Sequence, residues 1–292
     1  MELRHIRYFL ALADERNFTR AAGKVGIVQS PFSSQIRDLE REVGAQLFHR
    51  VPHGAELTPA GKAFLEIVKG IPEMTARAAH GARRAARGES GTLNIGFTAS
   101  SAFNPVVPNA IQAFQRTYPG VELKLEEANT TRLVEGLGEG SLDAAFLRPS
   151  ASGADSFQVR LLAEEPLVVA LPVSHPATKA KKVKLRQLAG DPLLLFPRSV
   201  GPTLYDSIVQ AFRDANVDPL FGQTAPQIAS VINLVAAALG VALVPACMSQ
   251  IAVGGVEYRP IAGKAPMAKI ALATRRGETN PIIRNFVTGV FA

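Results

Sequence analysis

Gln29, Ser30, Ser33 and Ser34 carry short hydrogen-bonding side chains within two turns of a helix-like stretch, with Pro31 in its first turn. Amides and hydroxyls so placed suit base edges and phosphates in the major groove. Arg37 and Arg41 follow at helical spacing and suit phosphates. Arg50 and His53 lie around the turn-like VPHGA, where they would touch DNA backbone or minor groove. A solvated polar face on an ordinary helical subdomain would read the same way by periodicity alone.

A second set of residues suits a small anion. Ser100-Ser101, Thr130-Thr131 and Ser199 to Thr203 each follow a strand-like run and open a helix. Free N–H groups at helix starts, with hydroxyls beside them, favour a carboxylate. Arg148, at the end of LDAAFL, is a candidate counter-charge. Phe103, Leu204 and Ile228 are candidate apolar walls. Each hydroxyl taken alone is equally well read as a helix cap.

The elements that must position these groups fall into three regions. Up to residue 58 the pattern is of short helices: Leu3, Ile6, Phe9, Leu10 and Ala13 share a face, and Asn17 caps a helix with Ala21, Ala22 and Val25 inward, ended by Gly26. From Gln29, Phe32, Ile36, Leu39 and Val43 form one stripe. Leu47–Arg50 and Glu56-Leu57 read as two short strands, so the whole reads as a winged helix-turn-helix. Residues 59–90 form a linker: Thr58-Pro59 starts a long helix with Phe64, Ile67, Ile71, Met74 and Ala78 on one seam. Pro72 should kink or interrupt it. From residue 91, strands and helices alternate. This predicts an α/β domain with parallel sheets and two lobes, about 91–163 with 266–292, and 164–265. Ligands of such folds bind in the crevice at the strand carboxyl ends.

The chain has 292 residues, 47% hydrophobic and 20% charged, which excludes a disulfide scaffold and a mainly disordered chain. Its net charge of +7 permits an anionic partner without demanding one. No apolar signal-peptide core opens the chain, and the uncharged stretch Gly222–Val256 is cut by Pro226, Asn233, Gly240 and Pro245. It reads as a buried helix and strand, giving a cytoplasmic protein with no membrane partner. Gly136, Gly138 and Gly140 follow a helix, not a strand, so they make no dinucleotide loop. His49 and His53 are separated by Pro52, and no metal is expected there. No motif marks a catalytic triad or carboxylate pair. The single Cys247 reads as a small buried residue, and KAKKVKLR as a solvated loop. No cofactor is expected.

The segments MELRHIRYFLALADERNFTRAA, SQIRDLEREVGAQLFHR and LTPAG resemble the N-terminal region of the LysR-type transcriptional regulators. The resemblance rests on Phe9, Ala21-Ala22, the run Leu39-Glu40, Gly44, Leu47-Phe48 and Arg50, then Leu57-Thr58 and Gly61, and extends more loosely over the whole chain. NFTRAA, SSQIRDLE, EPLVVALPVSHP and EYRPIAG are most similar to regulators of aromatic-acid catabolism, those responding to phenylpropionate or cinnamate and to muconate or benzoate. The resemblance implies an α + α/β protein: a winged helix-turn-helix, a long dimerising linker helix and a two-lobed effector domain like periplasmic binding proteins. It implies double-stranded promoter DNA, a small aromatic or dicarboxylic acid and RNA polymerase as partners, in a homotetramer built as a dimer of dimers. It places Ser100, Thr130, Pro202 and Leu204 at the effector pocket. Ser34 stands where many members have Arg, and Pro72 is unusual for the linker. The peroxide-sensing branch needs a Cys pair that this sequence lacks. Two other readings remain: an α/β enzyme with a helical appendage, and a DNA binder without an effector.

Overall fold

Periodic apolar residues and well-defined caps set the first three helices, α1 (Leu3–Glu15), α2 (Phe18–Val25) and α3 (Gln29–Val43). Asn17 accepts from the N–H groups of Thr19 and Arg20 and so starts α2. Gly26 and Gly44, with φ of 78° and 74°, end α2 and α3 in the left-handed conformation. The α1 face differs by one turn from its sequence reading: Ile6, Phe9 and Leu12 are buried, while Leu3 is exposed. Val43 likewise ends the α3 stripe in the open. Phe9 and Phe32 anchor a shared core, Phe9 meeting Phe64 edge-on at 4.8 Å. Burying each such ring contributes about 1.5–3 kcal/mol.

A hairpin of β1 (Phe48–Val51) and β2 (Gly54–Leu57) follows, with Arg50 opposite Ala55. Glu40 ties it to α3 by accepting from the N–H groups of Leu47 and Phe48 at 2.8 and 3.1 Å. Thr58 caps α4 (Pro59–Val68). Gly61 lies so close to the Leu47 carbonyl that a Cβ there would clash at 2.1 Å, which explains the LTPAG pattern physically. The predicted interruption of the long helix lies at Lys69-Gly70, before α5 (Ile71–Ala86). Pro72 occupies the first turn of α5, where its missing N–H breaks no helical bond.

The computed structural model describes residues 1–52, 54–149 and 156–292, grouped as the units Met1–Arg83 and Arg84–Ala292. His53, expected on the hairpin, lies outside the described residues.

The second unit contains β3 (Gly91–Phe97), α6 (Ala99–Ala102), α7 (Val106–Thr117), β4 (Val121–Glu127), α8 (Thr130–Glu139) and β5 (Ala144–Leu147). A sixteen-residue strand β6 (Phe157–Pro172) leads to β7 (Pro192–Leu195), α9 (Pro202–Asp214), β8 (Leu220–Thr224), α10 (Ile228–Ala236) and β9 (Ala242–Pro245). The chain ends with β10 (Val256–Pro260), β11 (Met267–Arg275) and α11 (Pro281–Val290). The expected parallel sheets are in fact mixed: β3 is parallel to β4 and β5, but β6 runs antiparallel to β9, β10 and β11. The cause is β6 itself. Its first part pairs with β11 as far as Pro166, and from Leu167 it pairs with β9 and β10. One strand thereby serves two lobes. The core around Leu93, Phe146 and Phe286 is separate from the core around Val169, Phe212 and Ile232.

Candidate functional site

On α3, Gln29, Ser30, Pro31 and Arg37 are exposed, and Ser33 and Ser34 are half-buried. Phe32, Ile36 and Leu39 point the other way into the core, so the predicted polar face is outward. Gln29 is held from behind, its Oε1 accepting from the Thr19 hydroxyl at 3.1 Å. His5, buried under the same helix, meets Gln35 at 3.1 Å. Arg41, exposed like Arg37, pairs with Asp38 at 3.0 Å. On the hairpin Arg50 is exposed, with its guanidinium 5.0 Å from the centre of the Phe18 ring. That stacking links the wing to α2 while leaving the N–H groups available.

The other candidate site lies between the two lobes of the second unit. An opening with about 470 Å3 of atom-free space is lined by Thr98, Ala99, Ser100, Ala128, Asn129, Thr130 and Arg148 from one lobe. Phe196, Val200, Gly201, Leu204, Gln227 and Ile228 line it from the other. The first turns of α8, α9 and α10 all reach this space, so their positive dipole ends converge on it.

Of the residues expected here, Ser100, Thr130, Arg148, Leu204 and Ile228 are brought together and Ser101, Phe103, Thr131, Ser199 and Pro202 are not. Ser101 is fully buried and donates to the Thr98 and Phe146 carbonyls. Phe103 packs on the core of the opposite lobe. Thr131 is turned outward because Asn129, not Thr130, caps α8, accepting from Arg132 N at 2.9 Å. Its hydroxyl instead donates to the Ser199 carbonyl at 2.8 Å, a bond between lobes. Ser199 is exposed, and Pro202 occupies the first turn of α9.

Arg148 lines the opening, but its charge is already engaged. Its Nη2 lies 3.2 Å from Glu165 Oε1, and its Nε donates to Ser100 Oγ at 2.8 Å. Glu165 stands on β6 near the crossing between lobes, and its Oε2 accepts from Cys247 N at 2.7 Å. The cysteine is more than a small filler: its thiol lies 3.3 Å from both the Ser100 carbonyl oxygen and Glu165 Oε1, and its one hydrogen is shared between these two acceptors. Burial, then the adjacent Glu165 carboxylate, pushes the thiol up to about 12, so it stays protonated. The network joins Ser100 and Arg148 of one lobe to Cys247 of the other through Glu165.

Sequence reasoning missed Phe196, Asn129 and Gln227. Phe196 follows β7, Asn129 caps α8, and Gln227 occupies the N-cap position of α10 without a side-chain cap bond, so their signal was a strand end or a helix start. Among the described residues, no group of three His, Cys, Asp or Glu side chains could hold a metal. No helix among them is long and apolar enough to cross a membrane.

Two family models match the chain: a bacterial regulatory helix-turn-helix protein, lysR family, over residues 3–62, and a LysR substrate binding domain over residues 86–290. The chain belongs to the LysR family. It is a DNA-binding transcriptional regulator with a domain for a small-molecule effector, and not an enzyme. LysR-family relatives span its length. The regulator BudR of Raoultella terrigena is 39% identical, covering 98% of this chain and 99% of its own. The Hca operon transcriptional activator HcaR of Escherichia coli (strain K12) is 37% identical over 98% of this chain and 96% of its own. Full-length CbnR, solved in complex with its target DNA, superposes with a TM-score of 0.86 at 29% identity, over 100% of this chain and 99% of that one. Within this LysR-family chain, the α3 face lies in the matched helix-turn-helix and the inter-lobe opening in the matched substrate binding domain.

Proposed function

We propose that this regulator senses a small carboxylic acid, aromatic or dicarboxylic, in the opening between its lobes and controls genes of aromatic-acid breakdown. The observation that carries the reading is the convergence of the first turns of α8, α9 and α10 on a space walled by Phe196, Leu204 and Ile228. Helix N-termini favour a carboxylate, and the apolar walls favour a ring or a hydrocarbon chain. Arg148 is not the counter-charge in this reading, because Glu165 already neutralises it. Ser100 and Thr130 contribute hydroxyls at one end. Gln29, Ser30, Ser33 and Ser34 read promoter DNA, with Arg37 and Arg50 on phosphates.

The response requires that the acid bind one lobe arrangement better than another. The crossings near Ala163–Pro166 and Ile261–Pro266 act as hinges, and lobe closure alters a homotetramer and the bend of its DNA. The exposed Ile67 and Met74 on the linker helices suit a seam with a second copy.

A nuclease footprint on the DNA upstream of the gene, with and without benzoate, muconate, cinnamate and phenylpropionate, tests the reading. One acid is expected to change a long protected tract. Protection that ignores every acid would remove the effector class and keep the DNA function. Thr130→Val should weaken the response to that acid about fivefold, the worth of one hydrogen bond, and leave DNA affinity unchanged. An undiminished response in the variant would remove Thr130 from the site.

A further inference from the structure

The helices on either side of α3 begin on side-chain caps. Asn17 accepts from Thr19 N and Arg20 N to start α2, and Thr58 accepts from Gly61 N at 2.9 Å to start α4. At the same position of α3 stands Val28, with no side-chain cap bond. Its backbone, with φ of −78° and ψ of 153°, is close to that of Thr58, at −69° and 170°, so the conformation suits a capping residue. Valine is among the poorest residues at a helix start, because it offers nothing to the first N–H groups.

The fold does not gain from this side chain by packing either. Val25 and Ile27 lie against the core of the unit, whereas Val28 is 73% exposed. A single exposed apolar residue is ordinary on a protein surface. This one directly precedes Gln29, Ser30 and Pro31, all exposed, at the end of α3 that opens the polar face. Gln29 is tied back to Thr19 of α2 at 3.1 Å, which fixes the turn that carries Val28. The N-terminal residues of the recognition helix in a helix-turn-helix reach base edges in the major groove. Among the four bases, the one apolar group displayed there is the C5-methyl of thymine.

We infer that Val28 packs its isopropyl group on the C5-methyl of a thymine in the major groove and so selects a T·A pair at one position of the operator. The inference rests on reading the α3 face as the DNA-contacting surface. It adds an apolar contact to a face otherwise read as polar. Burial of the methyl favours thymine over uracil, which differs from it by that group alone. A residue kept for DNA at the expense of the helix start also gives opposite signs to two measurements. A capping residue in its place should stabilise the free protein and weaken base recognition.

Double-stranded sites selected from a random pool by the full chain supply the probe, and uracil interference reads the methyl. In the wild type, replacing at least one thymine by uracil should weaken binding about fourfold, the worth of one buried methyl group. Val28→Ile should keep that ratio. Val28→Ala and Val28→Asn should abolish it at that position and leave interference at other thymines unchanged. Val28→Asn should also raise the melting temperature of the free protein by about 2 °C, through a cap to Ser30 N like that of Asn17 to Thr19 N. An unchanged uracil effect in Val28→Ala and Val28→Asn, or a wild type indifferent to uracil everywhere, overturns the role of Val28. A loss of melting temperature in Val28→Ala assigns the residue to packing and overturns it too. In each of these cases Gln29→Ala and Arg37→Met separate the two readings: weaker binding keeps α3 as the DNA surface, and unchanged binding removes it. A random pool that yields no enriched site overturns both.

Discussion

Arg37 and Arg148 show how differently the two units of this chain use the same side chain. Arg37 is exposed on a helix whose other face is packed. Arg148 is 5% exposed and tied to Glu165, Ser100 and the Lys269 carbonyl. The first is a charge held out for a partner, the second a charge spent within the fold. Position in sequence does not distinguish them, since both follow an apolar pattern. Burial does, because an arginine taken out of water must be matched by a carboxylate and full hydrogen bonding.

The comparison breaks most readily at Arg148. Arg148→Met leaves Glu165 buried without its counter-charge and should cost about 3–5 kcal/mol in denaturant unfolding. The double variant Arg148→Met with Glu165→Met should recover most of that loss, because it removes the stranded charge. A single variant as stable as the wild type would show that the pair holds nothing. Arg37→Met sharpens the other side. It should leave unfolding unchanged, lower DNA affinity evenly across sequences, and reduce the slope of log affinity against log salt by about 1. A change confined to one base position would instead make Arg37 a base reader.

The smallest effect is expected at an exposed pair beside the cleft. Arg198 holds Asp206 by two bonds of 2.7 Å and thereby keeps its carboxyl below the usual carboxylate range. A lowered folded-state value means the pair contributes above the ordinary carboxylate range and loses its contribution as pH falls through the lowered value. Asp206→Asn should therefore reduce melting temperature slightly at about pH 7 and make no difference at about pH 2. An equal deficit at both pH values would assign the loss to packing.

The two sites also differed in how well they could be read from sequence. The α3 face lies within one helix, so a 3.6-residue period sorts Phe32, Ile36 and Leu39 from Ser30, Ser34 and Arg37 without further information. The cleft is assembled from segments between Thr98 and Ile228. Strand ends located Ser100 and Thr130, whereas Leu204 and Ile228 were legible only as apolar walls, Leu204 also through the family resemblance. A one-residue shift in the start of α8 turned Thr131 away, since each helical step rotates a side chain by about 100°. Phe103 was read as a wall from its apolarity, which also suits the core where it lies.

The sequence by itself determined the local elements and their caps: Asn17, Gly26, Gly44 and Thr58 act through neighbours a few residues away. It also carried the family pattern, whose Glu40 and Gly61 have roles in fastening α3 and α4 to the hairpin. Only the tertiary structure decided that β6 serves two lobes and that Glu165 captures Arg148 across 17 positions of chain. Periodicity records whether a residue faces inward, but not which distant group it meets there. In a buried polar site that partner fixes whether a charge or hydroxyl remains available to a ligand.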